Sequence, residues 1–135
     1  MVTYVLDSSA ILRFTDNEAG ADRVQRILDK YLDGTALVAA SALHWGEAAN
    51  RLYKLRGRDV MSRILQRLAA MGIQIVPVTA QQAVEAALIR ADYRIPYVDA
   101  FGAVIGSAPN HVFVTADFDL KPATQFAKIE FLPAK

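Results

Sequence analysis

The sequence predicts a layered α/β fold around a mainly parallel sheet of four to five strands. Three observations carry that expectation. Short apolar runs rich in β-branched residues recur along the chain, segments with apolar residues at helical spacing separate them, and polar, Gly or Pro breaks divide one from the next.

Thr3 to Leu6 is a β-branched and apolar run that ends at Asp7, as a buried strand would. Ser8 and Ser9 precede Ala10-Ile11-Leu12, so a helix opens there with a serine or Asp7 as its cap. Asp16-Asn17-Glu18-Ala19-Gly20 is a polar break. Val24, Ile27, Leu28 and Tyr31 then recur at helical spacing until Asp33-Gly34 stops them. Ala36 to Ala40 reads as the second buried strand. Ser41 to Arg56 is helical in pattern, with Ala48, Leu52 and Leu55 on one stripe and Glu47 and Arg51 beside it, and Gly57 breaks it. Val60, Ile64, Leu65 and Leu68 mark a further amphipathic helix, ended by Gly72. Gln74 to Val78 is the third strand. Thr79 followed three residues later by Gln82 forms a capping-box pattern that opens a helix running to about Arg90. Pro96 restarts the chain, and Val98 to Ile105 reads as a helix. Val112 to Thr115 is the fourth strand, with Asp117 just past its end, and Ile129 to Leu132 is a candidate fifth strand at an edge. No internal repeat, low-complexity tract or linker interrupts this pattern, so residues 1–135 are expected to form one domain.

Composition narrows the function classes. The chain is 53% hydrophobic and 21% charged, enough apolar material for a core and some left to cover against a partner. No run approaches the roughly 18 to 20 apolar residues that a membrane helix needs. Met1 to Leu6 lacks the basic segment and long apolar block of a signal peptide, so none is expected, and the lack of cysteine points to a reducing cytoplasm with no membrane partner. The absence of cysteine excludes a disulfide framework and a thiolate metal site, which leaves oxygen ligands or the two histidines, His44 and His111, both read here as incidental. The net charge of +1 hides an uneven distribution. With Asp7, Glu47, Asp99, Asp117 and Asp119 set aside as one cluster, nine of the 14 acids remain against 15 Lys and Arg, and the rest of the chain stands near +6. Such a balance suits a phosphate backbone, and it also suits an ordinary solvated surface.

The candidate functional residues are the acids at the ends of elements. In an open α/β sheet, ligands bind at the carboxyl ends of the strands, where Asp7 and Asp117 both fall. Two buried acids in one crevice repel each other and lose solvation unless a cation neutralises them, and small hard cations take oxygen ligands. Glu47 lies on a helix among small or apolar neighbours; it can join such a cluster or form an exposed pair with Arg51 one turn on. Asp99 opens an apolar helix and can join the cluster or favour the helix dipole. Asp117-Phe118-Asp119 can be a metal-binding strand end or a turn. Thr115, and Ser8 or Ser9, have hydroxyls placed to orient a water or phosphate, with helix capping the simpler role for a serine.

Taken together these pieces resemble the PIN-domain family, and within it the VapC-type toxins of toxin–antitoxin pairs. Tyr4-Val5-Leu6-Asp7-Ser8-Ser9-Ala10 is similar to the family's opening strand with its first acid, and Glu47 falls where the second belongs. Tyr97-Val98-Asp99-Ala100-Phe101 is similar to the third segment and Val114-Thr115-Ala116-Asp117-Phe118-Asp119 to the closing one. The resemblance spans Tyr4 to Asp119. It implies a PIN-like three-layer α/β/α sandwich and a metal-dependent endoribonuclease. Asp7, Glu47, Asp99 and Asp117 would hold Mg²⁺ or Mn²⁺, with Thr115, Asp119 and Ser8 in support. Hydrolysis through metal-activated water would leave a 5′-phosphate and would not need the ribose 2′-hydroxyl. Arg13, Arg51 and Lys54, with Arg56 and Arg58, are candidates to track the RNA backbone. The resemblance also implies a homodimer and a cognate antitoxin whose tail crosses the acidic crevice. Trp45 and Tyr53, with Phe14, could line its groove, whereas Leu52 and Leu55 are expected in the core. The stretch Ile105 to His111 departs from the pattern in having no Lys or Arg.

Two other readings compete. A phosphatase using Asp7 as nucleophile, similar to the haloacid dehalogenases, would want an acid two residues on, where Ser9 stands, and a lysine motif that is not evident. A non-catalytic PIN-like module that only holds RNA or protein would not require all four acids.

Overall fold

Strand β1 (Val2–Leu6) lies at the centre of a five-stranded sheet in a computed structural model that describes all residues from Met1 to Lys135. It is flanked by β2 (Ala36–Ser41) and β4 (His111–Thr115), and β3 (Ile73–Val76) and β5 (Ile129–Phe131) form the edges, in the order β3-β2-β1-β4-β5. Every pairing is parallel. Val5 pairs with Ala39 on one side and Phe113 on the other, so three strands reach their carboxyl ends almost together. The chain leaves β1 in one direction through β2 and β3, then returns to build β4 and β5 on the other side. The order reverses between β1 and β4, the switch point at which α/β sheets open a crevice.

An all-parallel sheet must be covered on both faces, and the alternation along its strands shows how. Tyr4, Leu6, Val112 and Val114 face one layer, made by α1 (Ser8–Thr15), α2 (Ala21–Leu32), α3 (Ala42–Arg56) and α4 (Arg58–Ala70). There Ile11, Val24, Ile27, Leu28, Ala48 and Leu68 close the core. Val5 and Phe113 face the opposite layer, made by α5 (Ala80–Tyr93), α6 (Tyr97–Gly106) and a 3-10 segment over Phe118–Gln125. The three-layer α/β/α arrangement is therefore as expected. Helix α3 spans the two layers, with Trp45 and Ala48 against the first core and Leu43 against the second.

Local signals account for most boundaries. Gly57 and Gly72 stop helices at positive φ (83° and 105°), where a Cβ would be strained. The capping box at Thr79 forms as expected, with Gln82 N–H donating to Thr79 Oγ1 and Thr79 N–H to Gln82 Oε1, both at 3.1 Å. Helix α5 runs on past Arg90 to Tyr93. The third strand is shorter than Gln74 to Val78 and begins at Ile73; its pairing stops at Val76 because the partner strand β2 ends at Ser41, which caps α3. The 3-10 segment carries no periodic signal, and it buries Leu120 and Ala123 despite an internal Pro122. Leu55 was expected in the core and is instead 57% exposed, because the last turn of α3, Tyr53 to Arg56, is solvent-facing all round; Leu52 is buried as expected. No helix is long and apolar enough to cross a membrane.

The edge strand β5 is tied to the first layer by Arg23, whose guanidinium grips Glu130 through two bonds of 2.6 and 2.9 Å. The Arg23 fork, by hydrogen bond and then by charge, holds the Glu130 carboxyl below its ordinary 4.5, against a smaller effect of burial. A depressed carboxyl pKa contributes stability above the unfolded value, and that stability is lost as pH falls through the folded one. Glu130→Gln is therefore expected to cost about 1 kcal/mol at pH 7, with the gap to the parent closing below pH 4.5. Thermal denaturation across that range checks this.

Candidate metal centre

Asp7 follows β1 directly and is the cap of α1, so neither serine takes that role. Its carboxylate is 2% exposed and is held by three donors. Ser9 Oγ–H (2.6 Å) and Ala10 N–H (2.9 Å) donate to Oδ1, and the Thr115 hydroxyl donates to Oδ2. Burial pushes the Asp7 carboxyl above its ordinary value. Bonds from Ser9, Thr115 and the Ala10 N–H pull it down without overcoming that. Ser9 also accepts from Ala116 N–H at 2.9 Å, and Thr115 from Asp117 N–H at 3.0 Å, so the ends of β1 and β4 are locked together through hydroxyls. Ser9, left as an alternative to Ser8 by the sequence, is the serine that holds Asp7. Ser8 donates instead to Glu47 Oε1 at 3.0 Å. Asp117 caps the 3-10 segment, accepting from Asp119 N–H at 2.9 Å.

The second group comes from two helices. Asp99 stands in the first turn of α6 and Glu47 on α3. Asp99 Oδ1 lies 3.4 Å and Glu47 Oε1 3.9 Å from Nε2 of His44, which is fully buried. Ligand atoms of His44, Glu47 and Asp99 lie within 4.8 Å of one another, a spacing open to a metal ion. The structure thus joins Asp7 and Asp117 through Thr115, and Glu47 and Asp99 through His44, with the Ser8–Glu47 bond linking the two groups. Sequence reasoning passed over His44. Its place three residues before Glu47, on the same helix face, was the available signal. His111 lies at the opposite end of β4, where its ring bonds Pro109 O at 2.9 Å.

None of Asp7, Glu47, Asp99, Asp117 or Asp119 has a Lys or Arg partner. The Lys and Arg ion pairs lie elsewhere, between Arg23 and Glu130, Arg26 and Asp22, Arg56 and Asp16, and Lys135 and Glu18. The expected alternative of a Glu47–Arg51 pair is not formed. A set of carboxylates without a counter-charge, one of them buried, fits a small divalent cation. Beside it, Arg13 and Arg51 line a groove with Ser9, Leu12, Asp16, Glu18 and Lys135. Nη1 of Arg13 is committed to the carbonyls of Ala19 and Pro133, both at 2.7 Å, whereas Arg51 and Lys54 are exposed on α3.

The sequence matches the family model for the PIN domain over residues 4–124. The chain belongs to the PIN domain family. Several solved structures share the fold of this PIN domain. The VapBC2 complex of Rickettsia felis, bound to a DNA fragment from its promoter, is 14% identical, with 98% of this chain and 100% of that chain covered and a TM-score of 0.76. The DNA-bound VapBC of Salmonella typhimurium is 15% identical over 97% and 98% of the chains, with a TM-score of 0.70. VapC20 of Mycobacterium tuberculosis, a toxin that cleaves the sarcin–ricin loop, is 19% identical over 94% and 98%, with a TM-score of 0.68. At these identities the likeness is one of fold. No curated protein matches the sequence.

Two stability measurements test this geometry. A carboxyl whose folded pKa is raised is most stabilising below its unfolded value, 3.8, and loses that contribution as pH rises through the folded value. Asp7→Asn is expected to melt above the parent at pH 7 in EDTA, and to lose that advantage near pH 3. Gly102, on the face of α6 that meets Phe113, leaves no room for a methyl group: a Cβ there would lie 2.7 Å from both His44 Cε1 and Phe113 Cζ. Gly102→Ala should cost about 1–3 kcal/mol in urea denaturation.

Proposed function

We propose that this PIN domain is a metal-dependent endoribonuclease, the toxin of a toxin–antitoxin pair. The observation that carries the reading is the set of four acids, Asp7, Glu47, Asp99 and Asp117, at the carboxyl edge of the sheet with no Lys or Arg to neutralise them. PIN membership and a fold shared with VapBC complexes and a sarcin–ricin-loop-cleaving toxin support it.

In this reading the four acids hold Mg²⁺ or Mn²⁺, which when bound supplies an activated water and neutralises charge gathering on the phosphate. The residues of the chain do the rest. Ser9, Ala10 N–H and Thr115 aim the Asp7 carboxylate, Thr115 also fixes the backbone of Asp117, and Ser8 restrains Glu47. Asp119 steadies the Asp117 carboxylate through its backbone N–H. Arg51 and Lys54 extend along α3 to meet RNA phosphates, with the free edge of Arg13 beside them. The antitoxin covers the crevice from the outer side of α3, where Tyr53 and Leu55 are 48% and 57% exposed; Trp45 and Phe14 are half-buried against the core and offer it less. Homodimerisation draws on α5, where Val84, Ala87, Leu88 and Ala91 are exposed at i, i+3, i+4 and i+7. A protein acting on cellular RNA in this way works in the cytoplasm.

The test uses purified chain, free of antitoxin, on structured RNAs with Mg²⁺, Mn²⁺ or EDTA. Metal-dependent cutting that leaves 5′-phosphates is expected, reduced about 100-fold or more in Asp7→Asn and Asp99→Asn. Cutting that persists in EDTA, or in either variant, would sink the reading. A chain that binds RNA and metal yet cuts nothing would instead be a binding module.

A further inference from the structure

We propose that His44 is a positioning residue that donates its Nε2–H to Asp99 beside the Glu47 carboxylate, and that it thereby stays out of the metal's ligand set and keeps that set all oxygen. The inference rests on the reading of the four acids as a metal site.

The imidazole has no solvent exposure, so each ring nitrogen must find its partner inside the protein. Nε2 faces two carboxylate oxygens, Asp99 Oδ1 at 3.4 Å and Glu47 Oε1 at 3.9 Å. Nδ1 is buried and faces no polar partner at all. A neutral imidazole carries one proton, and the two placements are not equivalent. On Nδ1 the proton would make a buried N–H with nothing to accept it, while the bare Nε2 lone pair pointed at two anionic oxygens. On Nε2 it meets those oxygens, and the orphan is a bare acceptor, which proteins tolerate better than an orphan donor.

The seat is built for this ring. Gly102 lies one helical turn after Asp99 on α6, and a Cβ there would come within 2.7 Å of His44 Cε1. Helix α6 therefore provides both the space for the ring and the carboxylate it bonds. Helix α3 provides the ring and, three residues on, Glu47. Phe113 of β4 stands on the far side, its ring centroid 6.4 Å from that of His44. Two acids from different helix layers are thus registered by one side chain fixed from three directions.

The spacing of His44, Glu47 and Asp99 alone would also allow Nε2 to be a ligand. The two arrangements differ in chemistry. An imidazole in the set would favour Zn²⁺, Co²⁺ or Ni²⁺ over Mg²⁺, whereas carboxylates with water suit Mg²⁺ and Mn²⁺. With its lone pair replaced by an N–H, His44 acts as the outer partner that orients ligating carboxylates.

The experiment uses the folded full chain. Long-range ¹H–¹⁵N NMR on the metal-free protein at pH 8.5, with His44 identified by comparison with His44→Gln, reads the tautomer directly. A proton on Nε2 and none on Nδ1, unchanged on saturation with Mg²⁺, is expected; a proton on Nδ1 overturns the proposal. Calorimetric titration with Mn²⁺ supplies the second readout. His44→Leu should bind Mn²⁺ about 10- to 100-fold more weakly, and His44→Gln, which keeps an N–H near the Nε2 position, should stay within about threefold of the parent. Parent-like binding by a folded His44→Leu, or equal loss in both variants, overturns it. Neither readout uses RNA. Absence of cleavage with these results intact would fail the nuclease reading alone, and undiminished cleavage by His44→Leu would fail this one alone.

Discussion

The buried carboxylate of Asp7 is the constraint around which the rest of the molecule is arranged. It sits at the end of the central strand with only 2% of its surface exposed, and burial acts against its charge. Three donors compensate in part, from α1 and from the end of β4, so the charge can be held only if those two elements meet at that point. The hydroxyls of Ser9 and Thr115 each serve twice, donating to the carboxylate and accepting a backbone N–H from the chain after β4. The same bonds that make the charge tolerable therefore join the ends of β1 and β4. The deficit that remains is what a divalent cation would remove.

Two helices bring Glu47 and Asp99 together around His44. Helix α3 reaches over the carboxyl edge and packs on both cores, which is how Glu47 and His44 come to face α6. Helix α6 can lie close enough to answer because Gly102 and Gly106 present no side chain to Phe113; a Cβ at Gly106 would stand 2.7 Å from Phe113 Cβ. Close packing of the second layer and the position of Asp99 are thus one fact. The outer turn of α3 and the outer face of α5 take no part in this packing, and their Tyr53, Leu55, Val84 and Leu88 supply part of the exposed apolar surface.

Much of this was legible before any coordinates. The three central strand runs appeared as mainly apolar residues, because a parallel strand buried on both faces leaves no room for a polar alternation. The helix breaks at Gly57 and Gly72 and the capping box at Thr79 are local chemistry and were read at or near their positions. Leu55 was misplaced because its helical stripe continues through residue 56 while the packing surface ends at Leu52; periodicity records a face, not what covers it. The 3-10 segment escaped notice because eight residues around a proline have no period to detect.

The sequence by itself determined the fold class, the order of the elements and the position of each acid relative to the element that carries it. All three follow from side-chain patterns within a few residues, where backbone geometry fixes spacing directly. Only the tertiary structure decided that Ser9 serves Asp7 while Ser8 serves Glu47, that Nη1 of Arg13 is spent on two backbone carbonyls, and that His44 lies at the heart of the acidic group. Those outcomes depend on approaches between residues far apart in the chain, such as His44 and Asp99. The packing of two helix layers across one sheet sets such distances, and nothing in the local sequence encodes them.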